Sequence, residues 1–187
     1  MMLTSPLTHL QWLMEQFRKG SSASLCAGAP AAALLFVLSA SELLALYRAG
    51  SRRAAGQRGS RALRDFLISY FPRFNMSAKD PQGHYFRVRI PLLREQGKAV
   101  KRLKLPSALV HLFRCGVVED LVICSELPED RCVIMGQGRW GFLIQPYLFE
   151  QDFRDSMTAF FAEVQENPVI QARFMRRFKH LHGDQLA

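Results

Sequence analysis

Apolar residues recur every three and four positions from the start of the chain: Leu7, Leu10, Leu13, Met14 and Phe17 follow Ser5-Pro6. A Ser-Pro start and that period predict an amphipathic helix over 6–18, ending near Lys19-Gly20, with Trp12 off its apolar stripe. From Leu25 to Ala40 no charge appears, and 31–48 reads as a helix apolar nearly all round. Such a pattern belongs to a central buried helix or a membrane segment. The buried reading is preferred, because a span needs about 20 apolar residues, whereas Pro30 and Glu42 bracket a shorter, alanine-heavy run. No membrane is therefore expected, and the apolar stretch begins too late for a signal peptide. Leu63, Phe66, Leu67, Tyr70 and Phe71 predict a third helix over 61–71, capped by Ser60 and stopped by Pro72.

The period changes twice in the second half. Pro106 opens a short run in which Leu109, Val110 and Phe113 recur at helical spacing, giving a helix over 106–115. After it come β-prone runs over 121–125, 132–136 and 140–145, separated by turn residues, which predict a small antiparallel β-hairpin or three-stranded meander. Gly136, Gly138 and Gly141 spell a nucleotide-binding spacing, but a strand follows them and no helix N-terminus is there to hold a pyrophosphate. Phe149, Phe153, Met157, Phe160, Phe161 and Val164 form one face of a helix over 148–165. Asn167-Pro168 starts a last helix over 168–181 with Ile170, Phe174, Phe178 and Leu181 inward. The expected fold is mainly α, a helical bundle with a small β element, in one domain over 1–187.

Candidate chemistry gathers at the end of the 106–115 helix. Arg114 offers a planar fork of donors suited to phosphate, and at a helix C-terminus it also offsets the negative dipole end. His111 lies three residues earlier, on the same side of the helix, and Gly116 is followed by Val117, Val118, Glu119 and Asp120. Phe113-Arg114-Cys115-Gly116-Val117-Val118-Glu119 resembles a segment of the HEPN-like helical proteins of prokaryotes. Ser41-Glu42-Leu43-Leu44-Ala45, Tyr70-Phe71-Pro72 and the Phe149…Phe153…Phe160 helix agree with that resemblance. It implies a HEPN-like helical bundle and, in the ribonuclease members, metal-independent RNA cleavage by an Arg and a following His brought together across a dimer. Here Glu119 stands where the His would be. Its ordinary pKa of about 4.3, lowered further by a neighbouring guanidinium, makes it a poor proton donor near neutrality. His111 is a candidate replacement for the imidazole, or a histidine packed beside the core. The preferred reading of Arg114 with Glu119 or Asp120 is a structural ion pair that fixes the turn. Glu42, among Leu38, Leu43, Leu44 and Leu46, needs a cation or water; Arg48 and Arg114 are its candidate partners.

Charge widens the picture beyond that motif. The 187 residues carry a formal net charge of +9 with a sequence pI near 9.9, which favours polyanionic partners. Candidate nucleic-acid contacts are Arg52, Arg53 and Arg58 in the basic stretch 49–61, Lys101 and Arg102 before the 106–115 helix, and Arg173, Arg176 and Arg177 on the last helix. Each set reads alternatively as a solvated surface. Cys26, Cys115, Cys124 and Cys132 form no C-x-x-C pair and have no His at ligand spacing, so neither zinc nor a disulfide framework is expected. Reduced, mostly buried thiols in a cytoplasmic protein are expected instead, with no cofactor. Two functions follow. One is an RNA-associated protein with a degenerate or weak endoribonuclease site at Arg114; the other is a non-catalytic interaction or nucleic-acid-binding module that meets RNA, a second copy or another protein.

Overall fold

The structure, a computed structural model, describes residues 6–51, 57–73, 86–91, 98–103, 121–123, 133–135 and 142–183, with side chains over 6–51, 61–73 and 145–183. Among these residues five helices form the body: α1 Pro6–Cys26, α2 Pro30–Ala49, α3 Gln57–Tyr70, α4 Pro146–Glu166 and α5 Pro168–His182. Five short strands lie between α3 and α4 in sequence: β1 Phe86–Pro91, β2 Lys98–Leu103, β3 Leu121–Ile123, β4 Val133–Met135 and β5 Phe142–Ile144.

Helix α2 is the middle of the body and packs against α1, α3, α4 and α5. Its near absence of charge makes this arrangement favourable, because Leu34, Val37, Leu38, Leu44, Ala45 and Tyr47 can be buried around most of its circumference. The helix is long and apolar enough to cross a membrane by length and composition, yet 56% of that window is buried by its neighbours, as in a core helix. Its C-terminus closes when Gly50 N–H donates to Tyr47 O and Ser51 N–H to Leu46 O, with Gly50 at φ 61°. That left-handed residue is the usual glycine stop of a helix. The rest of the core is rich in phenylalanine: Phe66, Phe71, Phe149, Phe153, Phe160, Phe174 and Phe178 are each at most 2% exposed.

The ends of α4 and α5 are set by their caps. Gln145 Oε1 accepts from Tyr147 N–H at 2.7 Å and Leu148 N–H at 3.2 Å, and Pro146 takes a first-turn position where its missing donor is harmless. Asn167 Oδ1 does the same for Val169 and Ile170, at 3.0 and 3.4 Å, ahead of Pro168. Both helices therefore begin within two residues of where the periodicity puts them.

Three expectations require correction. The first helix does not stop at Lys19-Gly20 but runs on to Cys26, because Gly20 serves packing: a Cβ there would stand 2.9 Å from Cε1 of Phe36 on α2. The third helix begins at Gln57, so Ser60 is inside it and part of the basic 49–61 stretch is helical. The all-antiparallel hairpin or meander expected over 121–145 is not shown: the three short strands there pair in mixed directions. Every described core side chain comes from a helix or from Phe71 at the end of one. The short β3 pairs parallel to β5, Leu121 opposite Phe142, and β4 pairs antiparallel with β5 on its other side, Val133 opposite Ile144. β-prone composition marks extended chain but not its partner, and a parallel pair needs a long connection that local turn signals do not reveal. Phe86–Pro91 is extended in β1, antiparallel to β2. The helix expected over 106–115 lies outside the described residues. Of the cysteines, Cys26 is exposed, and Cys115, Cys124 and Cys132 lie outside the described residues.

Replacing Phe160 by Ala should destabilise the fold by about 3–5 kcal/mol. Gly50→Ala should cost at least about 1–2 kcal/mol for the left-handed backbone alone, and more because its Cβ would meet Arg173 O at 2.9 Å. Urea unfolding of both variants checks these values, and wild-type midpoints would overturn the packing described.

Candidate nucleic-acid interface

Helix α5 contains no acidic residue, and its periodicity divides it sharply. Ile170, Phe174, Arg177 and Phe178 are buried against the body, while Arg173, Arg176, Lys179 and His180 are exposed. Arg177 thus departs from the expectation that it belongs to the cationic face. Its Nη1 donates to Ser51 O at 2.5 Å, just past the C-terminus of α2, and its guanidinium lies 6.0 Å from the Tyr47 ring centroid. A cation at the negative end of α2 complements the helix dipole. Burial lowers the Arg177 pKa from its ordinary value and raises that of Tyr47. Its Nε has no hydrogen-bond partner among the described residues. The spacing 170, 174, 177, 178 did carry this signal, since it places Arg177 on the apolar stripe.

The other arginines separate into two sorts. Arg18, Arg48, Arg61, Arg64, Arg73 and Arg154 each lie within 3.8 Å of a carboxylate oxygen, on Glu15, Glu163, Asp65, Asp65, Asp152 and Glu150 respectively. Some of these pairs also tie helices together. Arg48 Nε donates to Tyr70 Oη at 2.9 Å, and Tyr70 Oη in turn donates to Glu163, so α2, α3 and α4 meet at one polar node. Arg73 Nη1 reaches the fully buried Asp152 at 2.6 Å, and Arg73 N–H donates to the same carboxylate. By contrast, Arg173 and Arg176 have no carboxylate within ion-pair distance among the described residues. Among the described residues, Arg173 and Arg176 thus place two arginines without a carboxylate partner on the outer face of α5.

That face ends in a group of rings. Arg173, Arg176, Lys179 and His182 follow one another at three-residue intervals, a row along the helix surface. The His182 ring lies 4.5 Å from buried Phe178 and 5.5 Å from His9 on α1. His9 then stacks on Trp12, at 6.5 Å between centroids and 26° between planes, and Trp12 is 59% exposed. Leu181, expected inward, is 47% exposed. Sequence gave no sign of the His9–His182 contact, which depends on how α1 and α5 meet.

The remaining candidates are distributed as follows. Glu42 is half-buried on α2. Arg58 falls within α3, and Lys101 and Arg102 fall in β2, where the register sets them opposite Val88 and Arg87. Arg114, Glu119, His111 and Asp120, with Arg52 and Arg53, lie outside the described residues. No group of three or more His, Cys, Asp or Glu suited to a metal ion occurs among the described residues. No family model, no curated protein and no solved structure matches the chain.

Truncating one member of the Arg73–Asp152 pair leaves a charge in a buried place, so Arg73→Ala should cost about 3 kcal/mol in unfolding experiments. An unchanged stability would show that the pair is not a structural contact. Burial, and secondarily His9, holds the His182 pKa below its ordinary value. The unfolded chain then binds a proton more readily, so this contribution to stability is complete above about pH 6.5 and falls as pH drops through that value. The thermal midpoint should decline between about pH 7 and 5, and less steeply in His182→Gln; identical profiles would contradict the assignment.

Proposed function

We propose that the chain is a nucleic-acid-binding helical module that holds phosphates on the outer face of α5. The observation that carries this reading is the contrast between Arg173 and Arg176, exposed without a carboxylate partner among the described residues, and six other arginines that pair with one. An arginine kept free of local pairing retains its whole charge and its planar fork for a phosphate. The absence of any acidic residue in α5 and the net charge of +9 point the same way. Phosphate contacts of this sort position a protein without reading bases, so the affinity is expected to be tolerant of sequence.

The catalytic reading suggested by the HEPN resemblance rests on Arg114, Glu119 and His111, and it adds cleavage to binding rather than replacing it. RNA cleavage abolished by Arg114→Ala would add that activity. The binding proposal is tested by affinity for RNA and DNA across a salt series. The logarithm of the association constant should fall linearly with that of the salt concentration. Arg173→Gln/Arg176→Gln should weaken binding to every sequence and flatten the slope by about 2, one for each lost phosphate contact. Affinity that ignores salt, or a double variant that binds like the wild type, would sink the proposal.

A further inference from the structure

We infer that the nucleic acid is single-stranded, and that Trp12 is the platform on which one of its bases stacks. This rests on the phosphate-binding reading of α5 and extends it to the chemical class of the ligand. The row Arg173, Arg176, Lys179, His182 does not end in solvent but leads onto His9 and then Trp12. Along the axis of α5, Arg176 and His182 are about 9 Å apart, and each three-residue step also turns the row by about 60°, so it crosses the outer face of the helix diagonally. The cations of α5 therefore lead by a diagonal row to the rings that α5 and α1 share, with phosphate chemistry at one end and π-faces at the other.

Trp12 is unusual among the large side chains of α1. Leu10 and Met14 beside it are at most 1% exposed, whereas the indole leaves 59% of its surface to solvent. It is not loose, because the stacked His9 ring is backed by His182 and by Phe178 of the core. A supported ring with one open side has already lost much of the freedom that stacking would cost. Burial and His9 disfavour the charged form of His182, so near neutrality its support of His9 is that of an uncharged ring. The bases of a single strand can turn such a face to a protein; inside a duplex both faces are occupied by neighbouring pairs, and only the two terminal pairs leave one open. Successive bases stacked on aromatic side chains beside a cationic track are the general means of holding single strands without reading sequence.

The test uses the full chain and three probes: a single-stranded oligothymidylate, a covalently closed circular duplex with no exposed terminal pair, and vesicles of phosphatidylcholine with phosphatidylserine. Trp12→Ala should weaken single-strand binding about 5- to 100-fold, leave duplex binding unchanged, and abolish the quenching of indole fluorescence that the oligonucleotide produces in a Trp140→Phe background. Trp12→Phe should restore most of the single-strand affinity, which separates loss of a stacking ring from damage to α1. Equal single-strand affinity in Trp12→Ala would overturn the inference, and if Arg173→Gln/Arg176→Gln still lost affinity for both nucleic acids the phosphate reading would stand. Equal losses for duplex and single strand in Trp12→Ala would also overturn it. Should neither nucleic acid bind while the vesicles bind and shift the Trp12 emission, both readings fall, and the row is a membrane-facing surface.

Discussion

The burial of α2 is the constraint on which the other helices depend. A helix with so little charge has no stable position at the surface of a body this size, and four helices must surround it to cover Leu34, Leu38, Leu44 and Tyr47. Once α1, α3, α4 and α5 are committed to that task, their outer faces are fixed as well. The polar node of Arg48, Tyr70 and Glu163 and the buried pair of Arg73 with Asp152 then lock neighbouring helices at the edges of the apolar core. Such pairs cost desolvation, so they contribute more to the choice of one arrangement than to raw stability.

The C-terminus of α2 shows how this core reaches the surface. Gly50 lets α5 approach so closely that a side chain there would strike the Arg173 backbone, and Arg177 uses the approach to reach Ser51 O. Arg176, one residue earlier, has its guanidinium over Gly50 and remains exposed. One turn of α5 thus supplies a buried arginine that serves the fold and an exposed one available to a ligand. The difference lies only in which side of the helix each residue occupies.

Much of the helical body was legible in the sequence, because Leu7, Leu10 and Met14 or Phe149, Phe153 and Phe160 repeat at a period that has one structural meaning. Ends were legible where a side chain enforces them, as at Asn167-Pro168. They were misread where glycine served tertiary packing, as at Gly20, whose meaning depends on Phe36 in another helix. Strand pairing between 121 and 145 was misread because composition identifies extended chain and not its neighbours. For the candidate interface, sequence supplied the cations of α5 but not their sorting: Arg177 was grouped with Arg173 and Arg176, although its position on the Ile170, Phe174 and Phe178 stripe distinguishes it. The contact of His9 with His182 had no local signal at all.

The proposed polyanion site rests on Arg173 and Arg176, exposed arginines of α5 that have no carboxylate partner among the described residues. Arginine-specific dicarbonyl labelling, read by mass spectrometry with and without a saturating polynucleotide, tests this most directly. Arg173 and Arg176 should be labelled in the free protein and protected in the complex, while Arg61, whose side chain is 77% exposed beside Asp65, should react equally in both. Protection of Arg61 with continued labelling of Arg173 and Arg176 would contradict the account.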